Sequence, residues 1–160
     1  MKINLFVLLL FCLAVQTGIT AQEKDDLGIY AAVRKFDPSR NPAQDLKDAI
    51  VEAQKSNRRI ILDVGGDWCI WCHRIDNFID SSKDISSELH NHFIVVKVNY
   101  SPENTNEKFL SRYPKIPGYP HLFVLNKKGE LIHSQDTGKL EKGKGYSKKK
   151  FMAFLKEWSN

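Results

Sequence analysis

Cys69 and Cys72 stand with two residues between them in the run Trp68-Cys69-Ile70-Trp71-Cys72-His73. Thiols at this spacing suit three chemistries. They exchange disulfides, they supply half of a metal site, or with the histidine that follows they form the CxxCH pattern to which haem is attached. A purely structural bridge is the weakest reading, because closing so short a loop removes little entropy from the unfolded chain. Zinc needs two further ligands, and the sequence has no second CxxC and no HxxxH. His90, His92, His121 and His133 lack ligand spacing, so no metal and no other cofactor is expected.

The elements around the pair favour disulfide exchange. Residues 59–64 (RIILDV) form a short apolar, β-branched run closed by Gly65-Gly66, which predicts a buried strand. A helix beginning at the cysteines would carry Ile75, Phe78 and Ile79 inward. At a helix N-terminus the first cysteine meets unpaired N–H groups and the positive end of the helix dipole, and both favour the thiolate. The dipole contributes on the order of 1 kcal/mol, somewhat under one pKa unit, so larger shifts need other donors. Cys72 falls about one helical turn along, placed to resolve a mixed disulfide. Cys69 attacks and Cys72 releases.

Around this unit, Asn41-Pro42 reads as a helix start, followed by the stripe Leu46, Ala49, Ile50 and Ala53. Ser81 or Ser82 caps a further turn or two carrying Ile85 and Leu89. Residues 93–98 (FIVVKV) and 121–125 (HLFVL) are strands, with a hairpin signal at 126–129 and a returning strand over 130–134. Phe151, Phe154, Leu155 and Trp158 mark a C-terminal helix, and residues 29–36 are a candidate edge strand. The order predicts an α/β fold: a central mixed sheet of four or five strands flanked by helices.

Taken together, the strand, the WCxWC run and the Gly118-Tyr119-Pro120 turn before an apolar strand resemble the thioredoxin superfamily, over residues 60 to about 140. The resemblance implies a thioredoxin fold, and it is nearest to exported, periplasmic-type thioredoxin-like proteins. It also implies roles. Asp63, six residues before Cys69, would be the buried acid that assists deprotonation of Cys72; an acid within an apolar strand is costly to bury without a role. Pro120 would be the cis-proline facing the cysteines, with Tyr119 presenting its backbone to a substrate strand. Trp68 and Trp71 flank the first cysteine as substrate-binding or water-excluding residues. His73 is a solvated helix residue or an imidazolium beside the thiolate. Ile70-Trp71 departs from the Gly-Pro of thioredoxin, which leaves the direction of electron flow open.

Two other readings stand beside the oxidoreductase: a thioredoxin-fold binding module without turnover, and a c-type haem protein built on CxxCH. Retention of both cysteines argues against the first. Against the second, Met152 lies on an apolar helical stripe, and the chain carries several β-branched strands where c-type haem proteins are mainly helical.

The first 21 residues have Lys2, an apolar run from Ile3 to Val15 and a small residue at Ala21, as in a secretory signal peptide. The run is too short to span a bilayer. Cleavage there would remove Cys12 and leave a 22–40 lead-in and a 41–160 domain, periplasmic or secreted. The 160 residues carry 27% charged side chains and a net charge of +5, the composition of an ordinary soluble protein. Much of the basic excess lies between Lys139 and Lys150 and reads as a solvated loop and helix start; nucleic-acid binding fits poorly with export. The expected partners are protein thiols and disulfides, with a membrane-bound electron donor or acceptor, and the expected state is a monomer.

Overall fold

A computed structural model describes residues 33–159. Helix α1 (Pro42–Ser56) opens where Asn41 caps it: Asn41 Oδ1 accepts from the N–H groups of Ala43 and Gln44 at 3.0 and 3.4 Å. It stops at Asn57, whose left-handed backbone (φ 54°) suits asparagine. Strand β1 (Arg59–Gly65) follows, then α2 (Ile70–Ser81), α3 (Lys83–His92) and β2 (Phe93–Asn99). A short helix α4 (Glu107–Leu110) precedes β3 (His121–Leu125) and β4 (Leu131–Asp136). A 3-10 turn (Thr137–Leu140), a small hairpin of β5 (Glu141–Lys142) and β6 (Gly145–Tyr146), and α5 (Lys148–Trp158) complete the chain.

The main sheet has the order β2-β1-β3-β4, with β2 parallel to β1 and the other pairs antiparallel. Because β1 is covered on both faces, its sequence is a continuous apolar run. Ile60, Leu62 and Val64 point to one core with Leu46, Ala49 and Ala53 of α1. Ile61 points to the other, with Ile75 of α2, Ile85 and Leu89 of α3 and Phe151, Phe154 and Leu155 of α5. Strand alternation therefore puts Asp63 on the Ile61 side, the side that α2 covers.

The expected elements are present with several differences. Helix α3 runs ten residues, longer than a turn or two, because Ile85 and Leu89 are both buried under it. The returning strand ends at Asp136 rather than Ser134, since Gln135 and Asp136 continue the pairing with Leu122 and His121. Residues 33–36 form no strand. Among the described residues Val33 meets β2 through Lys97 N–H to Val33 O at 3.3 Å without forming a strand, so the described sheet has four strands. The stretch from Lys139 to Lys150 is more than a loop, because Tyr146 on β6 is buried against α2 and α5. The signal peptide over 1–21, the lead-in to residue 32 and the first part of the candidate edge strand lie outside the described residues.

Candidate active site

Cys69 is the N-cap of α2, and the helix begins at the next residue. Its Sγ accepts the N–H of Cys72 at 3.1 Å, so sulfur takes the place usually held by a serine or asparagine oxygen. The two cysteines are joined as a disulfide with Cα atoms 5.2 Å apart. Cys69 is 4% exposed and Cys72 fully buried, so the first sulfur is the nearer to the surface. Gly65, at the end of β1, makes room for the second: a Cβ there would collide with Cys72 Sγ and stand 3.1 Å from Phe36 Cζ.

Phe36, which packs with the cysteines, links them to a largely buried charge cluster. Asp63 Oδ2 accepts from Lys97 Nζ at 2.9 Å, and the same ammonium donates to Asp76 Oδ1 at 2.7 Å while sitting 4.2 Å from the centre of the Phe36 ring. The parallel register explains the contact, since Asp63 and Lys97 are direct partners on β1 and β2. Burial alone would lower the Lys97 pKa, but the two carboxylates outweigh it and hold the ammonium above its ordinary value. Burial raises the Asp76 carboxyl, against the pull of Lys97. Asp63 Oδ1 is buried without a hydrogen-bond partner among the described residues.

On the surface side, Tyr119 packs against the cysteines together with Trp71, and the Tyr119–Pro120 peptide bond is cis. Tyr100, after β2, stacks on Tyr119 with ring centres 4.7 Å apart, and Trp68 meets Tyr119 edge-on at 5.7 Å. Trp68 Nε1 donates to Tyr100 O at 2.7 Å, which fixes the indole although it remains 57% exposed. Burial, then the neighbouring Tyr100, push the Tyr119 phenol up to about 12, so it stays protonated at neutral pH. Trp71 turns the other way, with its ring edge-on to Tyr146 at 5.9 Å and the Arg74 guanidinium 4.4 Å over it. His73 Nε2–H donates to Asp67 O at 2.7 Å and is engaged there, outside the sulfur pair.

Of the residues singled out from the sequence, the structure gathers Cys69, Cys72, Trp71 and Tyr119 in one cluster, with Pro120 joined to Tyr119 and Trp68 edge-on against it; Asp63 connects to that cluster through Lys97 and Phe36, and His73 lies outside it. The structure adds Phe36, Gly65, Lys97, Asp76 and Tyr100. Of these only Gly65 carried a sequence signal, as a glycine closing the strand before the cysteines. Among the described residues, no three His, Cys, Asp or Glu side chains cluster as a metal site requires.

Compared with known proteins, residues 46–153 match the thioredoxin-like domain family. The chain is 23% identical over 107 residues to the thiol:disulfide interchange protein DsbD of Klebsiella pneumoniae, an alignment covering 66% of this chain and 17% of that protein. With DsbD of Vibrio cholerae the identity is 22% over 88 residues, 55% of this chain and 14% of that protein. The chain therefore spans less than a fifth of the length of these curated relatives. Among solved structures, a disulphide isomerase from Xylella fastidiosa superposes with a TM-score of 0.67 at 20% identity, over 78% of this chain and 96% of that one. The oxidised C-terminal domain of DsbD from Neisseria meningitidis gives a TM-score of 0.56 at 16% identity, over 80% and 99%. At such identities the likeness is one of fold, and the four-stranded mixed sheet with its flanking helices is the thioredoxin fold. The family match spans well over half of the sequence, and the chain belongs to the thioredoxin-like domain family.

Proposed function

We propose that this chain is a thiol-disulfide oxidoreductase acting on protein thiols and disulfides outside the cytoplasm. One observation carries the reading. The outer sulfur caps α2, where unpaired N–H groups favour a thiolate, and the inner sulfur sits within disulfide reach behind it.

In the reducing direction, the Cys69 thiolate attacks one sulfur of a substrate disulfide. The Cys69–substrate bond forms, the substrate bond breaks, and one substrate thiolate leaves. The Cys72 thiolate then attacks Cys69 Sγ, closing the internal disulfide and releasing the second substrate thiolate. Two electrons pass to the substrate, and the two thiol protons go with them through solvent or a base. Asp63 is the nearby carboxylate suited to take the proton of Cys72. Tyr119 and Pro120 would border the bound substrate strand, with Trp68 against its side chains. The reverse sequence oxidises a dithiol. The relatives named as thiol:disulfide interchange proteins support this chemistry. Export through a signal peptide at residues 1–21, a membrane-bound electron donor or acceptor and a monomeric state belong to the same proposal.

The test is trapping and turnover. The wild-type protein should reduce insulin with dithiothreitol as donor, and Cys69→Ser should abolish this. Cys72→Ser should accumulate mixed disulfides on Cys69, identifiable by mass spectrometry. Unchanged thiol exchange by Cys69→Ser, or a Soret band in the purified protein, would overturn the reading. A reduction potential near about −270 mV would mark a reductase and one near about −120 mV an oxidant.

A further inference from the structure

The surroundings of Cys69 are lopsided. On one side Trp68, Tyr119 and Tyr100 form a connected aromatic surface, with Trp68 57% and Ile70 59% exposed. On the other side Trp71 leads to Arg74 and to the β5–β6 hairpin, because Tyr146 of that hairpin lies edge-on against Trp71 and 5.8 Å from Phe78, both on α2. The hairpin turns through Gly143, which has a positive φ of 62°, and places Lys142 opposite Gly145, next to the anchored Tyr146.

This hairpin and its flanks are basic. Lys139, Lys142, Lys144, Lys148, Lys149 and Lys150 are all exposed. Lys148 pairs with Asp84, and Lys150 donates to Glu141 O at 2.9 Å. The side chains of Lys139, Lys142, Lys144 and Lys149 have no ion pair or hydrogen bond among the described residues. The acids beside these six lysines are Asp84, Asp136 and Glu141, so the patch is net positive. A solvated lysine face needs no anchorage. Here a buried tyrosine fixes the lysine-bearing turn to the helix that begins at the reactive cysteine.

We infer that the substrate is a protein segment whose cysteine is flanked by acidic residues on one side and apolar or aromatic residues on the other. The acidic side would meet the Lys142–Lys144 turn and the apolar side Trp68. This inference rests on the oxidoreductase reading and refines it by naming the substrate class. Charge complementarity of this kind raises encounter rates about 10-fold or more at low ionic strength. It fades as the screening length falls from about 10 Å at 0.1 M salt to about 3 Å at 1 M.

The experiment compares two peptides that share one disulfide and one aromatic flank. They differ only in a run of four glutamates or four glutamines on the opposite flank. The reduced protein should reduce the Glu peptide about tenfold faster at low salt, with the advantage disappearing near 1 M. Lys142→Glu with Lys144→Glu should abolish or invert the preference and leave the Gln peptide unchanged; both side chains are exposed, so folding is not at issue. A Glu-to-Gln rate ratio that neither salt nor the double variant alters would overturn the inference. So would a double variant that keeps the ratio but loses binding to phosphatidylglycerol vesicles, which would assign the lysines to a lipid surface. If neither peptide is reduced, the oxidoreductase reading fails by itself. Tryptophan fluorescence titration of Cys69→Ser/Cys72→Ser with each peptide then still decides the surface: tighter binding of the Glu peptide supports it, and equal binding overturns it.

Discussion

Lys97 Nζ lies 2.9 Å from Asp63 Oδ2, across the parallel pairing of β1 and β2, with both side chains under a tenth exposed. Buried ions are held by their partners, and losing one partner costs about 3–5 kcal/mol because the other is left uncompensated. Lys97→Met should therefore lower stability by about 3 kcal/mol in urea unfolding, since the Asp63 carboxylate would keep its burial and lose the one side-chain hydrogen bond it has among the described residues. Asp63→Asn together with Lys97→Met should recover much of that loss, and a purely additive double variant would refute the coupling. The folded Lys97 pKa is raised, so the stability it brings is fully present below its unfolded value of 10.5. It is lost as pH rises through the higher folded value.

His121 gives the opposite dependence. Burial, the largest effect, lowers its pKa below 6.5, against the pull of Asp136; its Nδ1 has no partner among the described residues and its Nε2 is 2.8 Å from Ser134 Oγ. The unfolded chain takes up this proton first as pH falls. The contribution of neutral His121 is thus fully present above pH 6.5 and is lost progressively towards its folded pKa. Urea midpoints at about pH 7 and pH 5 should fall less in His121→Leu than in the wild type. Equal falls would remove His121 as the cause.

Gly65 is held by space. Adding a methyl group drives it into Cys72 Sγ and the Phe36 ring. Gly65→Ala should destabilise the oxidised protein by about 1–3 kcal/mol, the usual range for overpacking. Denaturant unfolding of the oxidised form measures this, and a neutral result would mean that Phe36 gives way freely.

Trp68→Ala should separate binding from stability. The side chain is mostly exposed, so unfolding free energy should drop by about 1 kcal/mol or less. Under the proposed function, KM for a disulfide peptide with an apolar flank should rise several-fold while kcat stays near the wild-type value. A fall in kcat with unchanged KM would instead place Trp68 in the chemical step.

Much of this site was legible because its first layer is local. A β-branched run, two glycines and a cysteine at a helix start are neighbours in sequence, and β3 runs over the five residues that its apolar pattern marks. Asp63 stood out as an acid among aliphatic residues. What surrounds it did not. Lys97 looked like one polar residue in FIVVKV until the β1–β2 register set it opposite Asp63, and Asp76 joined only through the rotation of α2. Tyr100 and Phe36 reach the site from loops whose composition says nothing of their destination. Tyr146 sat in a lysine-rich stretch whose charge masked the one ring that anchors it.

The bond from the Cys72 amide to Cys69 Sγ makes one atom serve two masters. That sulfur ends the hydrogen-bond ladder of α2 and is also the atom that trades partners in the proposed reaction. The same amide also donates to Cys69 O at 3.0 Å, so it is shared between a fixed carbonyl and the sulfur whose bonding the proposed reaction changes. The backbone at residue 72 is in this sense a gauge of the chemistry three residues upstream, readable as an amide signal without any added probe.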